Sequence, residues 1–212
     1  MQQQGEELSR ARDIQMDLLP KELPEVPGIE VSGAWLPART VGGDYFDVLR
    51  LDDSRLGICI GDVSGKGITA ALLMANLQAA FRAYATPKAT LAEVCTRLNE
   101  FVCGNVAPGK FITFFYAILD ARERKVISEN AGRCAGLLIK SNGQVEQMQG
   151  QGVVLASSRR GPMRISRCRS PPEIACSSLP TASPKPLNKK KWNSATKGSP
   201  TPRVPPPARQ PS

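Results

Sequence analysis

The sequence predicts an α+β fold in which antiparallel sheets are layered against helices. Two observations support this prediction. Segments with strand-like alternation follow one another through short polar turns, as they do in β-hairpins. Two segments with helical spacing form a single block, so that helices and strands do not alternate along the chain. With 212 residues, the chain is long enough to bury the core of one sizeable domain.

A connector precedes the predicted domain. Residues 6–19 carry apolar side chains at helical spacing, and Pro20 ends the pattern. Residues 20–28 form a linker that is punctuated by prolines. The short helix either lies on its own domain or packs on a partner, such as a second copy of the chain in a dimer. We therefore assign residues 1–28 to a connector helix and linker.

Residues 29–156 form the predicted domain, with six strands and two helices. Alternation and buried apolar runs predict strands over residues 29–38, 44–52, 55–63, 111–120, 125–132 and 135–140. Helical periodicity predicts helices over residues 68–85 and 90–106. Thr90 followed three residues later by Glu93 matches the capping box that opens a helix.

The net charge of +9 comes from the last quarter of the chain. Residues 1–156 hold sixteen basic and eighteen acidic residues, whereas residues 157–212 hold twelve basic residues, one acid and twelve of the 18 prolines. A segment of that composition buries too little apolar surface to offset the entropy of ordering. We therefore predict that residues 157–212 are a disordered basic tail. The mildly acidic domain itself disfavours nucleic-acid binding.

Composition also limits localisation and chemistry. No apolar run approaches the roughly 20 residues of a membrane span, and no signal-peptide core is present, so we expect a cytoplasmic protein without membrane contact. Cys59, Cys95 and Cys103 lie in apolar surroundings, which predicts reduced, buried thiols. The chain has no histidine, which excludes Ser-His-Asp and Cys-His catalysis and leaves carboxylates as the obvious catalytic groups.

Two motifs carry suitable carboxylates. Residues 42–47 read GGDYFD, with Asp44 at the start of a predicted strand, and residues 61–67 read GDVSGKG, with Asp62 at the end of another. Two acids at neighbouring strand ends suit a hard cation such as Mg²⁺ or Mn²⁺, which prefers oxygen ligands. Taken singly, each Asp more often caps a helix or satisfies backbone amides. The spacing of residues 61–67 does not match a phosphate-binding loop, and Ser64 has no histidine base.

Taken in order, the motifs resemble a known family. They are ARDIQMDLLP (11–20), GGDYFD (42–47), GDVSGKGITAALLMA (61–75), FITFFYAILD (111–120) and NAG (130–132). This series, over about residues 8–155, is similar to the PPM-type (type 2C) protein serine/threonine phosphatases, and in particular to their bacterial RsbU and stage-II sporulation branch.

The resemblance implies a layered α-β-β-α sandwich with a site for two Mg²⁺ or Mn²⁺ ions at one edge. A metal-activated water there would hydrolyse phosphoserine or phosphothreonine. Asp44 matches the family's first metal-ligand acid, Asp62 matches the acid that bridges both ions, and the backbone carbonyl of Val63 completes the set. The implied partner is a phosphorylated regulatory protein, such as an anti-sigma-factor antagonist.

The chain departs from the family pattern in two places. Arg133 stands where the family usually has a histidine, and we expect this change to be minor because that histidine is not a metal ligand in the family. After residue 156 the chain also lacks the family's PGD turn and the Thr-Asp-Gly motif that supplies another ligand.

The genetic code suggests a reason for the second departure. When the third base of each codon is read with the first two bases of the next, residues 171–176 are compatible with Pro-Gly-Asp-Arg-Leu, and residues 179–186 with Thr-Asp-Gly-Val-Thr-Glu-Ala. We therefore predict a one-nucleotide frame change near residues 155–160, which truncates the phosphatase domain. Resequencing of the gene tests this prediction directly.

Three functions stay open on the sequence alone. The first is a metal-dependent protein phosphatase. The second is a catalytically inactive remnant with an incomplete metal site. The third is a binder of nucleic acid or of an acidic partner through the basic tail, which is disfavoured because Trp192 is the single aromatic residue among the tail's bases.

Overall fold

Two antiparallel sheets and three helices make up the computed structural model of the chain, which describes residues 2–35, 40–107, 109–134, 136–140, 142, 144–148, 152–156, 165–169 and 172–175. All of these belong to one unit, Met1–Ser178. The helices are α1 (Gln2–Leu18), α2 (Ile68–Tyr84) and α3 (Leu91–Asn105). The strands are β1 (Asp44–Arg50), β2 (Arg55–Val63), β3 (Ile112–Asp120), β4 (Lys125–Ala131), β5 (Gly136–Lys140), β6 (Val145–Met148), β7 (Ile165–Arg169) and β8 (Pro172–Ala175).

The strands pair in two sheets of different size. The larger sheet has the order β1-β2-β3-β4-β7 and the smaller one the order β6-β5-β8, with every pair antiparallel. Helices α2 and α3 pack on one face of the larger sheet. The predicted α+β layered fold with antiparallel sheets is therefore confirmed. Within the described part of the chain, the layers are helices, large sheet and small sheet.

The core between helices and sheet is built around Phe81 of α2. Its ring makes edge-on contacts with Tyr116, Phe114 and Tyr45, at centroid distances of 5.1, 5.7 and 6.4 Å. Each such aromatic pair adds about 0.5–1.5 kcal/mol beyond the burial of its area. Helix α2 packs closely over Gly61, where a Cβ would lie 2.9 Å from Leu77 Cδ2.

The opposite face of the larger sheet forms a second core against the smaller sheet. Its buried side chains are Phe115, Ala117, Leu119, Val126, Leu138 and Met148. Because β3 lies at the centre of the larger sheet, nearly all of its residues are buried on one face or the other. This double burial explains the apolar run that the sequence shows at residues 111–120.

The β1–β2 hairpin is closed by a turn around Asp52. The Asp52 carboxylate accepts hydrogen bonds from Ser54 N at 2.9 Å, Ser54 Oγ at 3.2 Å and Arg55 Nε at 2.6 Å. These bonds, with that from the Ser54 amide the largest contribution, lower the pKa of Asp52 to about 2. The turn therefore fixes the hairpin at the end opposite to Asp44.

The predicted capping box at the start of α3 is confirmed. Thr90 Oγ1 accepts a hydrogen bond from Glu93 N at 3.3 Å, while Thr90 N donates to the Glu93 carboxylate at 2.8 Å. This reciprocal pair satisfies two amides that would otherwise lack partners at the helix N-terminus.

The C-terminal end of α1 is fastened to its own domain. Gln15 is buried, and its amide both donates to Gly42 O at 2.7 Å and accepts from Gly42 N at 3.0 Å. Gln78 of α2 donates to Leu18 O at 3.2 Å, and Leu19 lies in the core. Ile14 and Met16 remain exposed, at 66% and 42% of their surface. Of the two alternatives for this helix, contact with its own domain is therefore present.

The predicted strand over residues 29–38 needs correction, and strand β6 was not predicted. Residues 29–35 of the predicted strand 29–38 form only one bridge, between Val26 and Ile29, and the rest of that segment is unpaired. Ile29 and Val31 still pack on the core, so the alternation reflects a half-buried segment without ladder pairing. Strand β6 was missed because Val145, Glu146 and Gln147 are all exposed and show no alternation.

The predicted disorder of residues 157–212 does not hold for residues 165–169 and 172–175. The first of these segments pairs with β4 and the second with β5, which were otherwise open edges. Edge strands offer unpaired backbone groups to almost any sequence, so composition does not reveal such pairing. The remainder of the tail lies outside the described residues, and the domain boundary at 156 stays a prediction.

Four cysteines among the described residues are free thiols, with Cys59 and Cys95 buried, Cys103 partly buried and Cys134 exposed. Burial raises the thiol pKa of Cys59 and of Cys95. The predicted burial is thus confirmed for Cys59 and Cys95. None of the helices in the described part is long and apolar enough to cross a bilayer.

Candidate metal-binding site

The pairing register of β1 and β2 brings Asp44 and Asp62 together. The two residues are directly opposite each other at the open end of the hairpin. Directly opposite residues in an antiparallel pair project to the same face, with Cα atoms about 4.5–5.5 Å apart. Both side chains are half-buried. The prediction that two acids meet at neighbouring strand ends is therefore confirmed.

The backbone of Val63 lies against Gly43. Val63 N donates to Gly43 O at 3.3 Å, and a Cβ on Gly43 would lie 2.8 Å from Val63 O. Only glycine allows this approach without displacing the backbone. The glycine before Asp44 thus brings the Val63 carbonyl next to the chain segment that carries the first acid.

The turn after β2 has its own support. Ser64 N donates to Phe111 O at 2.9 Å, and Phe111 N donates to Ser64 Oγ, also at 2.9 Å. Gly67 is the N-cap residue of α2, and no side chain caps that helix. Asp62 is therefore not a helix cap, and the Ser64 hydroxyl has a structural role.

The Asp44 and Asp62 carboxylates are poised for a cation. Burial raises the pKa of Asp62, and the neighbouring Asp44 raises it further, while Arg133 opposes both effects. Within the part of the chain that the structure describes, neither carboxylate accepts a protein hydrogen bond. A divalent ion would relieve this like-charge repulsion and supply the missing partner.

The donor set fits one hard ion better than two. No group of three or more His, Cys, Asp or Glu side chains is present among the described residues. Mg²⁺ commonly binds through one or two carboxylates and keeps several waters. Asp44, Asp62 and the Val63 carbonyl suffice for that, but the second ion that the resemblance implies would need further ligands.

Asp47 belongs to the same sequence motif but points to the helix side of the sheet. Its fully buried carboxylate accepts hydrogen bonds from Tyr45 Oη at 2.8 Å, Arg82 Nε at 2.7 Å and Arg82 Nη2 at 3.1 Å. The hydrogen bond from Arg82 to Asp47 is the main reason that the pKa of Arg82 is raised. Asp47 therefore ties β1 to α2 and does not face Asp62.

Arg133 is a site residue that the sequence did not single out. Its Nη1 atom donates to Thr113 Oγ1 at 3.2 Å, and Thr113 is directly opposite Asp62 in the β2–β3 pair. The departure from the family pattern at residue 133 was visible in the sequence, but nothing there shows that this side chain reaches the acids. The structure places it beside them.

Comparison with known proteins agrees with this fold. The family of stage II sporulation protein E (SpoIIE) matches residues 52–174. The phosphoserine phosphatase RsbU of Bacillus subtilis (strain 168) is 29% identical over 154 residues, which cover 72% of this chain and 46% of RsbU. The chain therefore spans about half the length of this relative.

Solved structures show the same fold. The RsbU and RsbW domains of Rv1364c from Mycobacterium tuberculosis share 26% identity with a TM-score of 0.56, over 66% of this chain and 39% of that one. RsbX in complex with magnesium shares 16% identity with a TM-score of 0.53, over 63% of each chain.

The family match covers more than half of the chain, and its span includes β2, the strand that carries Asp62. The layered antiparallel fold is also the one shared with these solved structures. The chain therefore belongs to the stage II sporulation protein E (SpoIIE) family.

Proposed function

We propose that the chain is a metal-dependent phosphatase that hydrolyses phosphoserine or phosphothreonine on a regulatory protein. The observation that carries this proposal is the register of β1 and β2, which sets Asp44 opposite Asp62 at one end of the larger sheet. The name of the RsbU relative, a phosphoserine phosphatase, supports the substrate class. The RsbU and RsbW domains of the mycobacterial relative support a regulatory partner, such as a phosphorylated anti-sigma-factor antagonist.

Mg²⁺ or Mn²⁺ is the proposed cofactor, and the magnesium complex of RsbX supports this choice. Asp44, Asp62 and the Val63 carbonyl would hold the ion. When bound, the ion lowers the pKa of a coordinated water and so supplies a nucleophile at neutral pH.

The residues of the chain contribute position and charge. The register fixes the spacing of the Asp44 and Asp62 carboxylates, so the pair needs little reorganisation on binding. Their half-burial reduces competition from solvent. The Ser64–Phe111 hydrogen bonds hold the turn that follows Val63, and thereby hold the carbonyl that we assign to the ion.

A second candidate is a remnant that binds a metal but does not turn over substrate. The observation that favours it is the lack of a third acid near Asp44 and Asp62 among the described residues. Binding through the basic tail is a third possibility from the sequence, and most of that tail lies outside the described residues.

One assay distinguishes the active phosphatase from the inactive remnant. The purified chain is incubated with a phosphoserine peptide and increasing Mn²⁺, while metal binding is followed separately by the electron paramagnetic resonance signal of free Mn²⁺. An active phosphatase shows Mn²⁺-dependent phosphate release that Asp62→Asn lowers by about 100-fold or more, because the ion loses a charged ligand.

Asp53→Asn is the matched control, because Asp53 lies in the exposed hairpin turn and its side chain contacts only Arg50 among the described residues. Mn²⁺ binding without phosphate release identifies the remnant. Mn²⁺ binding that is insensitive to Asp62→Asn contradicts the proposed site altogether.

The exposed surface of α1 is our proposed contact with a second copy of the chain. Ile14 and Met16 are apolar and exposed on the same helix whose Gln15 is fastened to Gly42. Because residues two apart lie on nearly opposite sides of a helix, a second copy would cover Ile14 or Met16 on one side of the buried Gln15, without breaking the attachment of α1 to its own domain.

A further inference from the structure

We propose that Arg133 binds the phosphoryl group of the substrate beside Asp44 and Asp62. This inference rests on the proposed function and adds a residue that fixes the orientation of the phosphate. The proposal concerns the dianionic phosphomonoester of phosphoserine or phosphothreonine and the inorganic phosphate released from it.

The position of the guanidinium group is the first support. Asp44, Asp62 and Thr113 form a row across β1, β2 and β3, because each is directly opposite the next in the pairing register. Arg133 Nη1 donates to Thr113 Oγ1 at 3.2 Å, at the end of that row. The guanidinium group of Arg133 therefore lies at the edge of the candidate metal site.

The backbone of Arg133 is held in place from both sides. The buried Asn130 accepts a hydrogen bond from Arg133 N at 2.8 Å and donates one to Arg133 O at 3.0 Å. Gly132 adopts a φ of +74°, and a Cβ there would collide with Val154 Cγ1. This tight turn is preorganised, so little entropy is lost when the arginine binds a ligand.

The guanidinium has unused hydrogen-bonding capacity. Within the described part of the chain it makes one side-chain hydrogen bond, to Thr113, and no ion pair within 4.0 Å of a carboxylate. Arginine carries five N–H donors in a planar fork that matches two oxygens of a phosphate. A phosphoryl group next to a cation held by Asp44 and Asp62 would meet this fork.

The rival role for Arg133 is that of an internal counter-ion, which would only neutralise the two acids. Replacing such a counter-ion by alanine would raise the affinity for the metal and would leave the affinity for phosphate unchanged. Replacing a phosphate-binding residue would instead lower the affinity for phosphate. The two roles are therefore separable by measuring metal and phosphate affinity independently, without relying on turnover.

The experiment uses the full chain, Mn²⁺ and inorganic phosphate. Mn²⁺ affinity is measured from the paramagnetic resonance of the free ion, and phosphate binding from the broadening of the ³¹P resonance by protein-bound Mn²⁺. We expect Arg133→Ala to weaken phosphate binding by about 10- to 100-fold, since a charge-assisted hydrogen bond is lost. Arg133→Lys keeps the charge but loses the fork, so we expect an intermediate loss.

Arg122→Ala is the matched control, because Arg122 is exposed in the β3–β4 turn at the far end of the sheet. A phosphoserine peptide should displace the bound phosphate from the unsubstituted chain. Unchanged phosphate affinity in Arg133→Ala, or a gain in Mn²⁺ affinity alone, overturns this inference and leaves the phosphatase proposal standing. Failure of the unsubstituted chain to bind Mn²⁺, or binding that Asp62→Asn does not weaken, overturns the proposed function and this inference with it.

Discussion

Three carboxylates of the larger sheet lie in different environments, and the differences follow from their partners. Asp47 is fully buried and bound by Arg82 and Tyr45. Asp62 is half-buried beside a second acid. Glu129 is buried on the helix side of β4, and both of its carboxylate oxygens lack a hydrogen-bond partner among the described residues. A buried carboxylate without a partner favours its neutral form.

Burial raises the pKa of Glu129 to about 7, from an ordinary value of 4.5. The native state therefore binds a proton more tightly than the unfolded chain does. The stability that this group contributes is complete below pH 4.5 and is lost as the pH rises through 7. We expect Glu129→Gln to remove this loss, so that the variant is more stable than the unsubstituted chain at pH 8 by about 2–3 kcal/mol.

Urea unfolding at pH 5, 6, 7 and 8 measures this difference, and the exposed Glu123→Gln provides the control. Cys95 of α3 is the titratable group that senses Glu129 electrostatically, and its own pKa is raised by burial, so it stays neutral over this range. Parallel stability curves for the Glu129→Gln variant and the unsubstituted chain would show that Glu129 has a partner in the native state.

At this scale, the sequence reveals the two acids but not their surroundings. Asp44 and Asp62 are predictable because strand ends next to glycines are recognisable. The face of Asp47 was also predictable, since residues 44 and 47 differ by an odd number and so point to opposite sides of a strand. The position of Arg133 was not, because it depends on how the turn after β4 packs on residue 154.

Among the elements, β1 and α2 are joined by one ion pair. Asp47 has no exposed surface, whereas the side chain of Arg82 is 44% exposed. Removing one partner of a buried pair leaves the other charge without compensation. We expect Arg82→Ala to lower the free energy of unfolding by about 2 kcal/mol, less than for a fully buried pair because solvent reaches the arginine.

Chemical unfolding at pH 7 tests this expectation. Arg97→Ala is the control, since Arg97 is exposed on α3 and its guanidinium lies 5.9 Å from the centre of the Tyr84 ring. We expect that variant to lose less than about 1 kcal/mol. Equal losses of unfolding free energy in the two variants would show that the Asp47–Arg82 ion pair stabilises the fold no more than the exposed Arg97 does.

Element positions were predictable where periodicity was strong. Helices α2 and α3 begin and end within about one residue of their predicted bounds, because each buries one continuous stripe, whereas α1 begins at Gln2, four residues before its predicted start. Residues 29–35 were misassigned because half-burial produces the same alternation with or without a paired neighbour. Strands β6, β7 and β8 were missed because they owe their place to the edges that they extend.

For the molecule as a whole, we expect the number of bound ions to differ between the chain and a frame-restored protein. The described residues offer two acids at the site. In the alternative frame, residues 179–186 are compatible with a Thr-Asp-Gly segment, and the family resemblance implies that the acid of this segment is a further ligand. We expect the chain to bind one Mn²⁺ and the frame-restored protein to bind two.

Native mass spectrometry or calorimetric titration gives these stoichiometries. A frame-restored protein carrying Asp62→Asn is the control, because loss of the shared acid should reduce the number of bound ions. The same stoichiometry with and without the frame change would show that the restored segment adds no metal ligand, whereas a gene sequence whose alternative frame lacks these codons would remove the basis for the frame hypothesis.

The β1–β2 hairpin has two unequal ends, and this affects how the sheet opens. At its turn, the Asp52 carboxylate accepts hydrogen bonds from Ser54 and Arg55. At its other end, two like charges are opposite each other and weaken the ladder that aligns them. Local opening should therefore start at the metal-binding end and stop at the turn. A bound cation would offset this repulsion and stabilise the pairing of β1 with β2 at that end, so it would contribute to the fold as well as to the chemistry.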